Sequence, residues 1–426
     1  MKAKTKLTFL ICLTLLLPTL GEFGRINLFG LDFGFLYSDL ILPPMILYWL
    51  ISEIPKRISS RNKFIYFSIF GFLFIASFSL LLSLLSLPTK EVIQSAFYLI
   101  RFTEYAMLFP LTYSILDTKK QTKPFNTLFK TTILSSLIIA IGGFIQLVIY
   151  PDLKKLAEFG FDPHINRLVS TWLDPNFIGG FFAFIICILL GIILHSKNKK
   201  EQLFLSLISI ILLIATFLTY SRSAYLALAG GIFIIGLLKS RQILFTVIIL
   251  ALIGINFSPR AQERVGELLT SFNSIIFNTY ENPDPTARLR LISWEQAIEL
   301  IKEKPILGQG FNTLKYIKLQ KGFVSDEDIH SASGSDSSLL TITATTGIIG
   351  LFFYLLIFFS ALLKSFKNWL NKKINPIFRG YNLGFFAGTI SLLIHSNFVN
   401  SLLFPQIMIF FWIALGVVFS VKPRLQ

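Results

Sequence analysis

The sequence carries few charges for its length. Of its 426 residues only 15% are charged, whereas 54% are hydrophobic and 45 are Phe. A soluble globular domain has about a quarter of its residues charged, so this composition excludes one. Because a bilayer is crossed by helices of about 20 mostly apolar residues, the sequence predicts an all-α polytopic integral membrane protein.

Cysteine and histidine are also scarce. The two cysteines, Cys12 and Cys187, lie inside apolar runs, and the four histidines are scattered along the chain. A disulfide framework needs several cysteines, and a zinc site needs closely spaced pairs of Cys or His. The sequence has neither pattern, so we expect no metal and no cofactor.

Apolar runs separated by charged or Pro/Gly-rich breaks predict about twelve transmembrane helices, and the shortness of several runs leaves ten to twelve open. They lie near residues 7–20, 37–52, 64–87, 92–116, 131–150, 177–195, 202–220, 223–238, 242–257, 337–363, 380–397 and 401–420. The chain therefore divides into helices 1–9 over residues 1–257, one large loop over 258–336, and helices 10–12 over 337–426.

The net charge of +16 follows the predicted topology. Of the 39 Lys and Arg residues, 23 lie in every second loop or in the two termini, where the acidic residues are only Glu53, Asp117 and Glu201. Cytoplasmic loops of membrane proteins are enriched in Lys and Arg. We therefore expect both termini in the cytoplasm, the loop 258–336 on the opposite side, and no nucleic-acid partner.

The large loop contains most of the polar groups suited to chemistry. An amphipathic pattern over Pro259–Tyr280 predicts a helix on the membrane surface. A second helix is expected after Asp284 through Lys302, and it would present Arg290 and Trp294 on one face.

Two arginines outside that loop are unusual for their positions. Arg101 lies three residues before Glu104 in an apolar run. An ionisable group in a membrane normally faces a partner or a wet cavity, so Arg101 either pairs with Glu104 or lies near an anionic headgroup. Arg222 lies between two helices on the outer side. It either extends to lipid headgroups or binds phosphate through its donor fork.

The remaining candidate residues have equally open roles. Arg288 and Arg290 are either solvated or functional. His330 and Asp336 flank a Ser/Gly-rich stretch before a helix, and either is suited to act as a general base on a sugar hydroxyl. Asp336 together with Ser337 is also suited to cap that helix. The segment Asp174–Asn176 is expected to cap the sixth helix.

Several motifs, in this order, resemble those of the O-antigen ligase and O-antigen polymerase superfamily of bacterial envelope glycosyltransferases. They are Trp172-Leu-Asp-Pro-Asn176, Thr219-Tyr-Ser-Arg-Ser223, Arg290-x3-Trp294-x2-Ala297, Pro305-Ile-Leu-Gly-Gln-Gly310-Phe-Asn312 and Asp336-Ser337-x9-Gly347-x2-Gly350. The similarity extends from about Asn166 to Leu363.

The resemblance implies a GT-C-like membrane fold in the bacterial inner membrane, with a periplasmic active site. It implies an inverting, metal-independent transfer from an undecaprenyl-diphosphate-linked oligosaccharide to a glycan or lipid A–core acceptor. A polymerase of this family would have a chain-length regulator as a further partner. Arg222 and Arg290, and also Arg288, Arg101 and Asn176, would bind the diphosphate or substrate. Asp336 or His330 would accept the hydroxyl proton.

One departure from the family pattern guides the choice of activity. The ligases that this chain resembles have a His-[Asn/Ser/Gln]-x9-Gly-x2-Gly motif. In this sequence Asp336 occupies the position of that histidine. This difference favours a polymerase, with ligase activity, including transfer to a protein acceptor, as the alternative. A lipid-linked oligosaccharide flippase is the alternative of another class, but the sequence lacks the internal symmetry expected of a transporter.

Overall fold

The computed structural model describes residues 2–27, 33–52, 62–117, 121–159, 161–257, 285–325 and 334–423, together with a few single positions between 259 and 266. The α-helices in these ranges are numbered here in chain order. They are α1 Lys2–Leu16, α2 Tyr37–Ile51, α3 Lys63–Leu82, α4 Thr89–Leu116, α5 Thr122–Ile149, α6 Pro175–Ile193, α7 Lys199–Leu218, α8 Arg222–Leu238, α9 Arg241–Phe257, α10 Pro285–Glu303, α11 Leu314–Gln320, α12 Ser338–Leu370, α13 Pro376–His395 and α14 Pro405–Ser420. A short antiparallel pair, β1 Arg25–Asn27 and β2 Gly34–Leu36, lies between α1 and α2.

Each of the twelve predicted apolar segments corresponds to one of these helices. Seven helical stretches of the described chain are long and apolar enough to cross a membrane, and three shorter apolar helices accompany them. The seven are Ala3–Gly24, Lys63–Leu85, Thr122–Ile149, Pro175–Ile193, Lys199–Leu218, Ser338–Leu370 and Pro376–His395. The prediction of a multi-pass, all-α membrane protein is confirmed, whereas the number of crossings stays a prediction.

Four helix starts, those of α1, α5, α13 and α14, differ from those expected by four residues or more. α5 begins at Thr122 rather than at 131, because Pro124 falls in the first turn, where its missing N–H has no partner to lose. α14 begins at Pro405 rather than at 401, again with proline in the first turn. Both errors came from following hydrophobicity instead of helix-start signals.

Contacts at one end of the bundle agree with the prediction that both termini and every second loop lie on the same side. The Lys4 ammonium donates to the Ser114 carbonyl at 2.8 Å, and Gln121 donates to the Ser420 hydroxyl at 2.8 Å. Lys422 forms an ion pair with Asp117. The start of α1, the end of α4 and the end of α14 therefore lie together. The compartment that this end faces stays a prediction.

The centre of the bundle is formed by α6 against α13. Glycines allow their backbones to approach closely, since a Cβ at Gly384 would lie 2.5 Å from the Cys187 carbonyl oxygen and one at Gly191 would lie 2.3 Å from the Gly380 oxygen. Small residues at helix contacts are typical of membrane bundles. Because these two helices pack closely, the start of α6 lies beside the end of α13, where the candidate site is found.

Helix α12 is broken at Gly347, whose φ of 67° and ψ of −174° are not helical. The break frees backbone groups, and the segment that follows α10 pairs with them. The Gln309 N–H donates to the Ala344 carbonyl at 2.8 Å, and the Gly310 N–H donates to the Thr345 carbonyl at 3.0 Å. Irregular backbone within a membrane helix requires such partners.

The other side of the break is satisfied in the same way. The Ile348 N–H donates to the Pro305 carbonyl at 2.9 Å. A Cβ at Gly347 would lie 2.0 Å from the Ile306 oxygen, so glycine is required both by conformation and by space. We call the pairing of residues 305–310 with 344–349 the loop–helix ladder. The ladder therefore gives a structural role to two of the motifs, Pro305–Asn312 and Asp336–Gly350.

Candidate functional site

Three helices begin in the same manner at the end of the bundle opposite the Lys4–Ser114 contact. In each, a residue with positive φ precedes a capping residue whose side chain accepts hydrogen bonds from the first turn. The pairs are Leu173 (φ 55°) with Asp174 before α6, Tyr220 (φ 49°) with Ser221 before α8, and Asp336 (φ 52°) with Ser337 before α12. Helix N-termini present backbone N–H groups and the positive end of the helix dipole.

Hydrogen bonds join the starts of α6 and α8 to the end of α13. The Ser221 hydroxyl donates to Asn176 Oδ1 at 2.7 Å, and the Ser221 and Ser223 hydroxyls are 3.1 Å apart. Ser223 Oγ lies 3.3 Å from His395 Nε2. Ser221 gives its one proton to Asn176, so Ser223 is the donor between the two serine hydroxyls. The Ser223 oxygen then accepts from the N–H at His395 Nε2.

His395 was not anticipated from the sequence. Its ring is fully buried and lies beside the backbone of Asn176 in the first turn of α6. A Cβ at Gly180 would lie 2.6 Å from the ring, so the imidazole is packed against α6. A histidine at the end of an apolar helix is the signal that could have pointed to it. The imidazole contacts the start of α8 through Ser223.

Arg290 and Asp336 are brought close together although 46 positions separate them in the sequence. Arg290 is half-buried on α10 and interacts electrostatically with both Asp336 and His395. Burial raises the pKa of the Asp336 carboxyl, while Arg290 and Lys318 oppose that rise and Asp162 adds to it. Two predicted site residues, one basic and one acidic, therefore share one location.

The loop–helix ladder explains why these two residues meet. Helix α10 carries Arg290 and leads directly into segment 305–310, which is paired with α12. Helix α12 begins two residues after Asp336. Arg290 and Asp336 are thus attached to two backbone segments that are hydrogen-bonded to each other, and their separation is set by the ladder.

Trp294 lies one turn beyond Arg290 on α10, as predicted from their spacing. It is half-buried, and its ring centroid is 6.4 Å from that of Phe398, in the loop after α13. The aromatic contact anchors α10 over the end of α13. It places Trp294 in a supporting role beside Arg290.

The shorter outer loop also reaches the site. Arg167 Nε donates to the Thr219 carbonyl at 2.8 Å, and buried Trp172 donates to the Pro18 carbonyl at 2.7 Å. These contacts fix the loop over the starts of α6 and α8. Exposed Asp162 then acts electrostatically on Asp174 and on Asp336. No sequence pattern pointed to Asp162, whose position depends on these distant contacts.

The other predicted site residues have varied positions. Arg222 is the first residue of α8 and is half-buried. Asn176 lies in the first turn of α6, half-buried and bonded to Ser221. Arg288 is exposed on α10. His330 lies outside the described residues, as does most of the amphipathic segment predicted over 259–280.

The pairing of Arg101 with Glu104 was wrong. Arg101 Nε instead donates to Asp39 Oδ2 at 3.0 Å, and Nη2 donates to the Gly34 carbonyl at 2.5 Å. The guanidinium also lies 4.2 Å from the centroid of the Phe33 ring. Asp39 at the start of α2 offers a bidentate partner that Glu104 does not. This arrangement favours a structural role, and substrate binding by Arg101 stays a prediction.

The two capping predictions had different outcomes. Asp174 caps α6, since its Oδ1 accepts from the Asn176 N–H at 2.7 Å and the Phe177 N–H at 3.3 Å. At α12 the cap is Ser337 alone, whose hydroxyl accepts from the Leu340 N–H at 3.3 Å. Asp336 precedes the cap in a left-handed conformation, so its carboxylate is left for another role.

A protein-family model described as O-antigen ligase matches residues 207–355. The matched segment runs from α7 into α12 and includes Arg222, Arg288, Arg290 and Asp336, whereas Asn176 lies outside it. The resemblance inferred from the motifs is thereby confirmed. A search of curated proteins found no match.

Proposed function

From the match of residues 207–355 to the O-antigen ligase family model, we propose that this membrane protein transfers a glycan from undecaprenyl diphosphate to an acceptor hydroxyl. A glycosyltransferase-like activity on lipid-linked glycans is what the family supports in general. We further propose that the reaction takes place on the periplasmic face of the bacterial inner membrane, as the distribution of basic loops suggests.

The observation that carries this proposal is the convergence of helix starts and charged side chains. The N-termini of α6 and α8 are linked through Asn176 and Ser221, and Arg290 acts on both His395 and Asp336. Anions bind readily at helix N-termini, and arginine binds phosphate oxygens through two parallel hydrogen bonds. Arg222 lies at the first position of α8, and Arg290 lies on α10. Both side chains are suited to bind a diphosphate.

Asp336 is the base in this mechanism. The acceptor hydroxyl attacks the anomeric carbon from the side opposite the diphosphate, so the bond to the leaving oxygen breaks as the new glycosidic bond forms and the configuration inverts. The Asp336 carboxylate takes the hydroxyl proton. The two arginines stabilise the charge that develops on the departing diphosphate, and the helices hold both partners in line.

The type of acceptor separates two versions of this function. The matched family is described as O-antigen ligase, which favours transfer to lipid A–core or a similar acceptor. Asp336 in place of the histidine of the ligase motif favours a polymerase that joins repeat units, with a chain-length regulator as a plausible partner class. We propose ligase-type transfer as the primary function and polymerisation as the second candidate.

The test is the surface-polysaccharide profile, separated by size, of a strain that lacks this protein. A bare core with long polymer remaining on the lipid carrier indicates a ligase, and a core with a single repeat unit indicates a polymerase. An unchanged profile would contradict both versions.

Complementation with variants then tests the site. Arg222→Ala, Arg290→Ala and Asp336→Asn are expected not to restore the profile, because a lost base alone costs about 10²–10⁴-fold in rate. Lys302→Gln is the matched control, since Lys302 is an exposed cation on the same helix as Arg290. Full restoration by Asp336→Asn would refute its role as the base.

A further inference from the structure

Lys318 is a buried lysine that neither the motifs nor the proposed mechanism uses. It lies on α11, and its side chain is only 2% exposed. Burying an ammonium group is costly unless it is hydrogen-bonded and paired with an opposite charge. The first five residues of α11, Leu314–Lys318, are all buried, so the Lys318 ammonium requires polar partners inside the protein.

The contacts of Lys318 lie in the turn that carries Asp336. Its ammonium donates to the Gly334 carbonyl at 2.8 Å, and the opposite charge that acts on it is Asp336. Burial lowers the pKa of Lys318, and the Asp336 carboxylate opposes this change. Lys318 thus supports the Asp336 turn from the protein interior.

The same turn is held from its other side by the loop after α13. A Cβ at Gly334 would lie 2.0 Å from Asn400 Nδ2, and the Thr341 hydroxyl donates to Asn400 Oδ1 at 2.8 Å. Asp336 itself has a φ of 52°, a conformation that a non-glycine residue keeps only when its surroundings enforce it. Lys318 and Asn400 enclose the turn between them.

We propose that Lys318 is a positioning residue for Asp336, which holds the turn through Gly334 and keeps the carboxylate ionised and directed towards the acceptor. This inference rests on the proposed function for the role of Asp336 as base. Lys318 is not placed to touch the substrate itself, because it is only 2% exposed.

The other charged groups that face Asp336 explain why a second cation is needed. In the described part of the chain these are Arg290 from α10 and Asp162 from the shorter outer loop. Arg290 is shared with the diphosphate in the proposed mechanism, and Asp162 favours the protonated form of Asp336. Lys318 is the cation that stays with Asp336 throughout the reaction.

The first experiment is the pH dependence of transfer by purified protein in lipid nanodiscs, with an undecaprenyl-diphosphate-linked glycan as donor. Lys318→Met keeps an unbranched side chain only one heavy atom shorter and removes the charge. We expect kcat/KM at neutral pH to fall on the order of tenfold, less than for a lost base, and the acidic limb of the profile to move to higher pH. Lys321→Met is the control, since Lys321 is a partly exposed lysine one residue after α11 that pairs with Glu303.

The second experiment needs no turnover. Dicyclohexylcarbodiimide labels protonated carboxyl groups, and the labelling of Asp336 at a series of pH values can be followed by mass spectrometry of its peptide. We expect the midpoint pH of labelling to rise in Lys318→Met and to stay unchanged in Lys321→Met.

The outcomes separate this inference from the proposed function. A raised labelling midpoint with no transfer by the unmodified protein would refute the function and support the role of Lys318. An equal loss of kcat/KM at every pH, with an unchanged midpoint, would overturn the inference. If Lys318→Met does not fold, Lys318→Arg and Lys318→Gln give the same comparison, and equal midpoints for the charged and uncharged variants would overturn it.

Discussion

The effect of disrupting the loop–helix ladder on the free energy of unfolding can be worked out from the structure. Gly347 has φ 67° and ψ −174°, a region of backbone conformation that is almost exclusive to glycine. In Gly347→Ala the added methyl group would lie 2.0 Å from the Ile306 oxygen. The segment 305–310 must therefore move away from α12, or the helix break must change its shape.

The magnitude follows from two contributions. Holding a non-glycine residue in this conformation costs about 1–3 kcal/mol. Displacing segment 305–306 also weakens the hydrogen bonds from the Ile348 and Ile349 N–H groups to Pro305 and Ile306, each worth roughly 0.5–1.5 kcal/mol net. We expect Gly347→Ala to lose about 2–6 kcal/mol of unfolding free energy in total.

The chain contains a matched control for this substitution. Gly322 has a similar φ of 70°, but a Cβ there would meet nothing within 4 Å in the part of the chain that the structure describes. Gly322→Ala carries the conformational cost of about 1–2 kcal/mol without a clash and without the ladder. The difference between the two variants isolates the contribution of the ladder.

The assay is thermal unfolding in detergent, combined with complementation of the polysaccharide profile. Gly347→Ala should unfold at a clearly lower temperature than Gly322→Ala and should lose transfer, because Arg290 and Asp336 are no longer held together. Equal unfolding temperatures for the two alanine variants, with transfer retained in both, would refute the role given to the ladder.

Three further predictions concern single side chains. Asp39→Asn leaves the buried Arg101 without its carboxylate and should cost about 3–5 kcal/mol of unfolding free energy. The double variant Asp39→Asn with Arg101→Gln should recover part of the lost stability. If thermal unfolding shows no recovery, the pairing of these two residues is not what stabilises the fold. Asp174→Ala removes the cap of α6 and should cost about 0.5–2 kcal/mol, whereas Asp174→Asn should melt near the unmodified protein. Transfer should fall as the pH drops through the pKa of Asp336, which burial raises above its usual value, and a flat acidic limb in the pH–rate profile would contradict Asp336 as base.

The local parts of the fold were predictable from neighbouring residues. The twelve apolar segments each became a helix because hydrophobicity over about 20 residues is a property of a contiguous stretch. The cap at Asp174 was predictable for the same reason, since a capping side chain bonds to N–H groups two and three residues ahead. Helix starts were missed where the apolar run and the first-turn proline do not begin at the same residue, as at Pro124 and Pro405.

Parts of the candidate site were recognised and parts were not. Arg222, Arg290 and Asp336 were proposed from motifs, because a family pattern preserves spacing along the chain, and their roles stay predictions. Lys318 and His395 were missed, because each acts on a turn or helix that is distant in sequence. The partner of Arg101 was wrong for a related reason, since a nearby Glu is visible in the sequence and a distant Asp39 is not.

The sequence by itself therefore determined the class of protein, the apolar helices, the distribution of charge and the likeness to the O-antigen ligase family. Tertiary structure alone decided that segment 305–310 repairs the break in α12, that this pairing brings Arg290 to Asp336, and that Lys318 is buried beneath the turn. The physical reason is that hydrophobicity and capping act between near neighbours. Hydrogen bonds across a break and the pairing of buried charges depend on which distant segments pack together.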